Sequence, residues 1–195
     1  MIDMIAAKRR SIRRFTGESI DEMMIRELLV TAGRAPSGKN RQPWYFTVVT
    51  DKAKRELASI LWQTAIDKES RGEVFGSLRI SVRAMEEAGA VILVGNRYAP
   101  LEQDYNDKRY RRVMDTQSIG AAIQTMLLAA TEKGLGTLWI CDVFQCDVFQ
   151  CEEEIQAWWG RNDELVAAIA IGVPAEAPYP RWREDVDTLT EWRSE

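Results

Sequence analysis

Five of the seven residues in 8–14 are cationic, in the run Lys8-Arg9-Arg10-Ser11-Ile12-Arg13-Arg14, within a chain whose overall balance is acidic. Arginine's planar fork donates paired hydrogen bonds to phosphate oxygens, and Ser11 places a short hydroxyl donor among the charges, so the run can hold one fixed phosphoryl group. A solvated surface face and a nucleic-acid patch share this composition. The chain has no histidine. Ser/His and Cys/His nucleophile pairs, His-ligated metals and the commonest general base are thereby removed, which directs the chemistry to a bound cofactor. With 26 Lys and Arg against 30 Asp and Glu, the net charge is −4. No global basic footprint for nucleic acid exists, and the basic run is a local device.

The three cysteines fall in a tandem duplication: Cys-Asp-Val-Phe-Gln at 141–145 recurs without change at 146–150, and Cys151 follows. The C-x4-C-x4-C spacing matches no standard zinc or iron–sulfur pattern, so no metal is expected and the repeat reads as an insertion in a surface loop. An odd cysteine count argues against a disulfide framework and for a reducing compartment. Apolar stretches such as 90–94 and 166–171 are far shorter than a membrane span, and the first residues lack the apolar core of a signal peptide. A cytoplasmic protein is expected.

The elements that must position these groups follow from periodicity. A chain of 195 residues without a linker-like composition shift reads as one domain. A short helix spans 2–9. A second is marked by Ser19 and Glu22 as a capping box, by Met24, Leu28 and Ala32 at spacings of four, and by Gly33 as a left-handed terminator. The loop 34–43 leads into a strand at 44–50. Helices are expected from about 52 to 68, with Asp51 as cap, and around 78–87, followed by an apolar strand at 90–94. The excursion 97–112 has no assignable shape. Ile119, Ala122, Ile123, Met126, Leu127 and Ala130 trace the clearest helical stripe, ending near Gly134, and Ser118, Gly120, Ala121 and Ala122 would admit another backbone closely. Strands at 137–140 and 165–172 flank a helix at 152–159, and the apolar continuity of the last strand calls for cover on both faces. From Pro174 a proline- and tryptophan-containing extension, 173–195, is expected to wrap on the core or on a partner subunit.

Taken together, the basic run, the Pro36-Ser37-Gly38-Lys39-Asn40-Arg41-Gln42-Pro43-Trp44 loop, the long helix with Asp115 spaced D-x-x-x-x-x-A-A from Ala121 and Ala122, and the Gly134-Leu135-Gly136 turn resemble the FMN-dependent nitroreductase family over nearly the whole length. The resemblance implies an α+β fold with a central mixed or antiparallel sheet of four to five strands, flanked by helices, in a domain-interlocked homodimer. It implies FMN in two interface sites. Arg9, Arg10, Ser11 and Arg13 of one subunit would meet the flavin, with Arg9 and Ser11 toward the phosphate and Arg13 toward the ribityl chain or the pyrimidine edge. Pro36, Ser37, Gly38 and Asn40 would come from the other subunit, Arg181 and Arg183 would add late phosphate contacts, and the backbone of Cys141 or Asp142 would lie against flavin N5.

No Gly-x-Gly-x-x-Gly follows any predicted strand, so NADH or NADPH has no dedicated site and would visit the flavin face. The expected activity is transfer of electrons from NAD(P)H to a nitroaromatic, quinone or similar small conjugated acceptor by a ping-pong route, with no nucleic-acid or membrane partner. Trp44, Tyr98, Tyr105 or Tyr110 could shape the acceptor pocket. The same flavin site could instead serve reductive dehalogenation or flavin modification, and the basic N-terminus leaves a nucleic-acid-binding module as the non-enzymatic alternative.

Overall fold

Four antiparallel strands carry the rest of the chain in the computed structural model, which describes residues 1–72, 77–99, 109–140 and 152–194. They are β1 (Trp44–Val49), β2 (Ala90–Asn96), β3 (Gly136–Ile140) and β4 (Glu164–Gly172), in the spatial order β1-β2-β4-β3. The antiparallel four-stranded alternative of the expected sheet is the one observed. Every residue of β2 is buried, and alternate side chains serve opposite faces with the period of two that a strand imposes. Val91 and Leu93 join one core; Ile92 and Val94 join the other.

The first core is closed by α3 (Asp51–Ser70), α4 (Leu78–Glu87) and α6 (Glu152–Trp159), with Leu57, Leu61, Met85 and Ile155 fully enclosed. The second is closed by α2 (Glu22–Ala32) and α5 (Arg109–Glu132), through Leu28, Ile119, Ile123 and Met126. Sandwiching explains why β2 and β4 read as continuous apolar runs.

Two helix signals resolve differently from the sequence expectation. The cap of α2 is Asp21, not Ser19: its Oδ1 accepts from Met23 N at 2.8 Å and Met24 N at 3.3 Å, and the carboxylate also sits at the positive end of the helix dipole. Gly33 ends α2 with φ −65° and ψ −11°, in the right-handed region, because Arg34 N and Ala35 N bond to Thr31 O and Ala32 O and tighten the last turn. The excursion 97–112 also gains a shape at its end: α5 begins at Arg109, so residues 109–112 are its first turn.

Before α2, the chain passes from α1 (Ile2–Lys8) into an extended segment lying along the free edge of β3. Ser11 pairs with Thr137, and Phe15 with Pro174; Ile12 N donates to Thr137 O at 2.9 Å and Ala175 N to Arg14 O at 2.9 Å. Ile12 and Phe15 pin the segment by burying their side chains. Glycine is required underneath, since a Cβ on Gly136 would stand 2.8 Å from Ile12 Cγ1 and one on Gly172 2.9 Å from the Gly89 backbone nitrogen.

Candidate functional site

The edge segment brings Arg9 and Arg10 beside Arg183 from the other end of the chain. Arg9 is half-buried, and burial first, then the neighbouring guanidiniums of Arg183 and Arg10, lower its pKa from the ordinary arginine value. Three like charges drawn from opposite ends of the chain repel one another unless an anion joins them, and a dianionic phosphate is an anion of the right charge and size. Arg10 turns its Nη1 back on the end of α1, donating to Ala7 O at 2.6 Å and Arg9 O at 2.8 Å. Ser11 is fixed beside Thr137 by the strand bridge. Arg13 is exposed; its backbone nitrogen donates to Glu176 Oε1 at 2.6 Å, and its Nη1 turns back to donate to Ser11 O at 3.4 Å. Arg181 is also exposed, two residues before Arg183.

The segment's register depends on a carboxylate that sequence reading did not single out. Glu87 Oε2 accepts from Arg14 Nε at 2.9 Å and from Phe15 N at 3.2 Å, while Oε1 accepts from Arg83 Nε at 3.0 Å. Burial alone would raise the Glu87 pKa, but the hydrogen bonds from Arg14, Arg83 and Phe15 outweigh it and hold the carboxyl below its ordinary value of 4.5. A depressed folded pKa stabilises the fold above the unfolded value and is lost as pH falls through the folded one. Glu87→Gln is therefore expected to lower Tm at pH 7 by about 2–4 °C, for a loss of about 1 kcal/mol at this partly exposed site. The gap from the parent protein should narrow in thermal melts between pH 5 and pH 3; a gap that stayed constant would mean that Glu87 acts only by packing.

The second group of expected site residues is held by a strained loop. Lys39, Asn40 and Gln42 have φ of 54°, 53° and 48°, left-handed values that cost non-glycine residues roughly 1–3 kcal/mol each. Ser37 Oγ accepts from Gln42 N at 3.0 Å, Asn40 Oδ1 accepts from Gln42 Nε2 at 3.3 Å, and Gly38 N donates to Ser118 Oγ at 3.3 Å. Pro36 precedes this turn. Trp44, which follows it, is core, whereas Tyr98 lies beneath the Arg41 guanidinium at 4.5 Å and Tyr110 is exposed. Tyr105, Cys141, Asp142 and the duplicated pentapeptide lie outside the described residues.

Within one chain these two groups occupy opposite corners of the sheet. The loop enters β1 at Trp44, whose row continues through Asn96 to Glu164; Ser11 is level with Thr137, whose row meets Ile171. Seven residues of β4 separate the rows, roughly 23 Å at the usual strand rise, and β1 and β3 are the two edges.

Beyond the corner holding the loop, Asp115 is fully buried on α5 and binds Arg41 through both carboxylate oxygens, at 3.0 and 3.1 Å. Its signal in the sequence was a charge in register with the apolar stripe, four residues before Ile119. Among the described residues, no helix is long and apolar enough to cross a membrane.

The sequence model of the nitroreductase family matches residues 6–173. An NADH dehydrogenase of Thermus thermophilus is 28% identical over 199 aligned residues, covering 96% of this chain and 94% of the relative. A 5,6-dimethylbenzimidazole synthase of Rhodospirillum rubrum is 29% identical over 191 residues, covering 92% and 85% respectively. Among solved structures, that of a candidate nitroreductase from Desulfovibrio desulfuricans in complex with FMN superposes with a TM-score of 0.72 at 27% identity, covering 100% of this chain and 98% of the other.

Proposed function

The chain belongs to the nitroreductase family, and on that premise we propose that it is an NAD(P)H-dependent FMN oxidoreductase acting on a nitroaromatic, quinone or similar conjugated acceptor. One observation carries the proposal: Arg9, Arg10 and Arg183 converge although 172 residues lie between Arg10 and Arg183, a cluster whose mutual repulsion a phosphate dianion would relieve. FMN carries such a phosphate. When bound it supplies two-electron chemistry, taking electrons from a nicotinamide and passing them to an acceptor that visits the same face in turn.

The chain's own part is to bind, orient and tune. Arg9 and Arg183, with Arg10, Arg181 and the Ser11 hydroxyl, hold the phosphate end. Arg13 offers a cation toward the ring, where it would stabilise negative charge that collects on reduction. The backbone at Cys141 or Asp142 is the proposed donor at N5. No histidine is needed to carry the electrons, because that chemistry belongs to the flavin.

The loop and the basic cluster belong to different sites in this reading. Their placement at opposite corners of one sheet supports a homodimer in which Pro36, Ser37, Gly38 and Asn40 of each subunit complete the site of the other. The C-terminal extension supports the same arrangement: Tyr179, Trp182, Leu189 and Trp192 are 72–91% exposed in the single chain, more apolar surface than a free tail ordinarily shows to water. We assign it to the partner's surface.

The test is the visible spectrum of protein mixed with FMN and desalted, before and after anaerobic NADH or NADPH. Retained flavin bands that bleach support the reading. Absence of retained flavin overturns it, and flavin retained but not bleached by either nicotinamide favours the flavin-modifying alternative. A second expectation concerns Arg13. Arg13→Ala should lower the flavin's two-electron potential by on the order of 30 mV, equivalent to ~1.4 kcal/mol less stabilisation of the reduced ring. An unchanged potential in spectroelectrochemical titration would remove Arg13 from that role.

A further inference from the structure

The loop 37–42 is strained, and something in the molecule must hold it. Three left-handed non-glycine residues in a stretch of four do not persist without external contacts that over-determine them. The contacts come from one face of α5. Met114 packs so closely on Gly38 that a Cβ there would stand 2.2 Å from its sulfur, Ser118 Oγ accepts from Gly38 N, and Asp115 binds Arg41.

The Asp115 contact differs in kind from the other two. Its carboxylate has no exposed surface and grips the Arg41 guanidinium in the two-pronged geometry that fixes direction as well as distance. Tyr98 covers the guanidinium face at 4.5 Å, and Arg97 Nη2 donates to Arg41 O at 3.4 Å. Arg41 is thus held along its edge, over its face and at its backbone, in the middle of the strained stretch.

The geometry has a consequence for the donors on either side. Ser37 Oγ and Asn40 Oδ1 are both engaged as acceptors by Gln42 inside the loop. Beyond these bonds the two side chains carry donors, the Ser37 O–H and the Asn40 amide N–H groups, that can face a ligand. We propose that Asp115 is a positioning residue of the flavin site: by clamping Arg41 it holds the 37–42 loop in the shape that turns the Ser37 and Asn40 donors toward a ligand shared with the second subunit. The inference rests on the flavin reading above and deepens it.

The test uses the full-length apoprotein and FMN as the probe. Asp115→Asn keeps size and one acceptor but loses the charge and one prong. The FMN dissociation constant, read from flavin fluorescence quenching, should rise about tenfold or more while the dimer persists in sedimentation. Arg41→Lys should recover part of what Arg41→Gln loses, since a lysine reaches the carboxylate without the fork. Leu28→Ala serves as the comparison, because it loosens the α2–α5 packing without touching the loop. If Asp115→Asn binds FMN as tightly as the parent protein, or no more weakly than a Leu28→Ala variant of equal Tm, the positioning role is overturned while the flavin reading stands. If the parent protein itself binds no FMN, both fall. Should Asp115→Asn fail to fold, the Arg41→Gln and Arg41→Lys pair decides: equal affinities in the two would overturn the role.

Discussion

Replacing Arg9 and Arg183 together by alanine is expected to raise the FMN dissociation constant by roughly two to four orders of magnitude, from two lost charge-assisted hydrogen-bond partners at ~1.5–3 kcal/mol each. The effect should be specific to the phosphate. Riboflavin shares the ring and the ribityl chain but has no phosphate, so its affinity should hardly change. Because the two guanidiniums repel each other in the ligand-free protein and both act with Arg10, the single variants should not add: removing Arg9 relieves Arg183 as well as costing a contact. Titration calorimetry with both ligands, at two salt concentrations, separates the possibilities. Equal losses for FMN and riboflavin would mean that the substitutions disturb the fold, and an undiminished FMN affinity would mean that the convergence of arginines serves some other anion.

The largest stability effect is expected at Leu28→Ala. Leu28 has 0% exposure and lies in the core between α2 and α5, beside Ile119, Ile123 and Met126. Truncation removes buried methyl groups and leaves a cavity that flanking helices fill only in part, a loss of about 2–5 kcal/mol. At about 2–4 °C per kcal/mol for a chain of this size, Tm should fall by roughly 5–20 °C. Met23 offers the contrast on the same helix: it is 67% exposed, and Met23→Ala should change stability by no more than about 0.5 kcal/mol. Calorimetric melts of the two variants, in the same flavin-loaded or flavin-free state, check the pair. A small shift for Leu28→Ala would show that α2 and α5 repack freely around the truncated side chain.

Asp21 and Gly33 illustrate why helix ends were read less well than helix interiors. The stripe Ile119, Ala122, Ile123, Met126, Leu127 and Ala130 is a repeated signal, and all six residues are buried as that spacing requires. A cap is one residue deep. Ser19 and Asp21 are both competent acceptors, and the choice between them depends on where Ile20 can pack, which is a tertiary matter. The start of α5 was missed for a related reason: residues 109–112 are charged and aromatic, without an apolar face to announce a helix.

Asp115 shows the limit for sites. Its place in the apolar stripe could be read as a charge needing a buried partner, but nothing in the local pattern says that the partner is Arg41, 74 residues away. Glu87, which anchors Arg14 and Phe15 across 72 to 73 residues, is the same case.

What the sequence by itself determined are the properties that repeat along the chain or reside in single side chains: four strands, the main helices, the sheet covered on both faces, a phosphate-suited basic run, and chemistry without histidine. What only the tertiary structure decided are the meetings between distant segments: Arg9 with Arg183, Arg41 with Asp115, and the loop and the basic run at opposite corners of one sheet. Periodicity is a local consequence of backbone geometry, legible within a few turns or pleats. Convergence depends on how strands are ordered and where helices cross them, and that is set by packing the whole core at once.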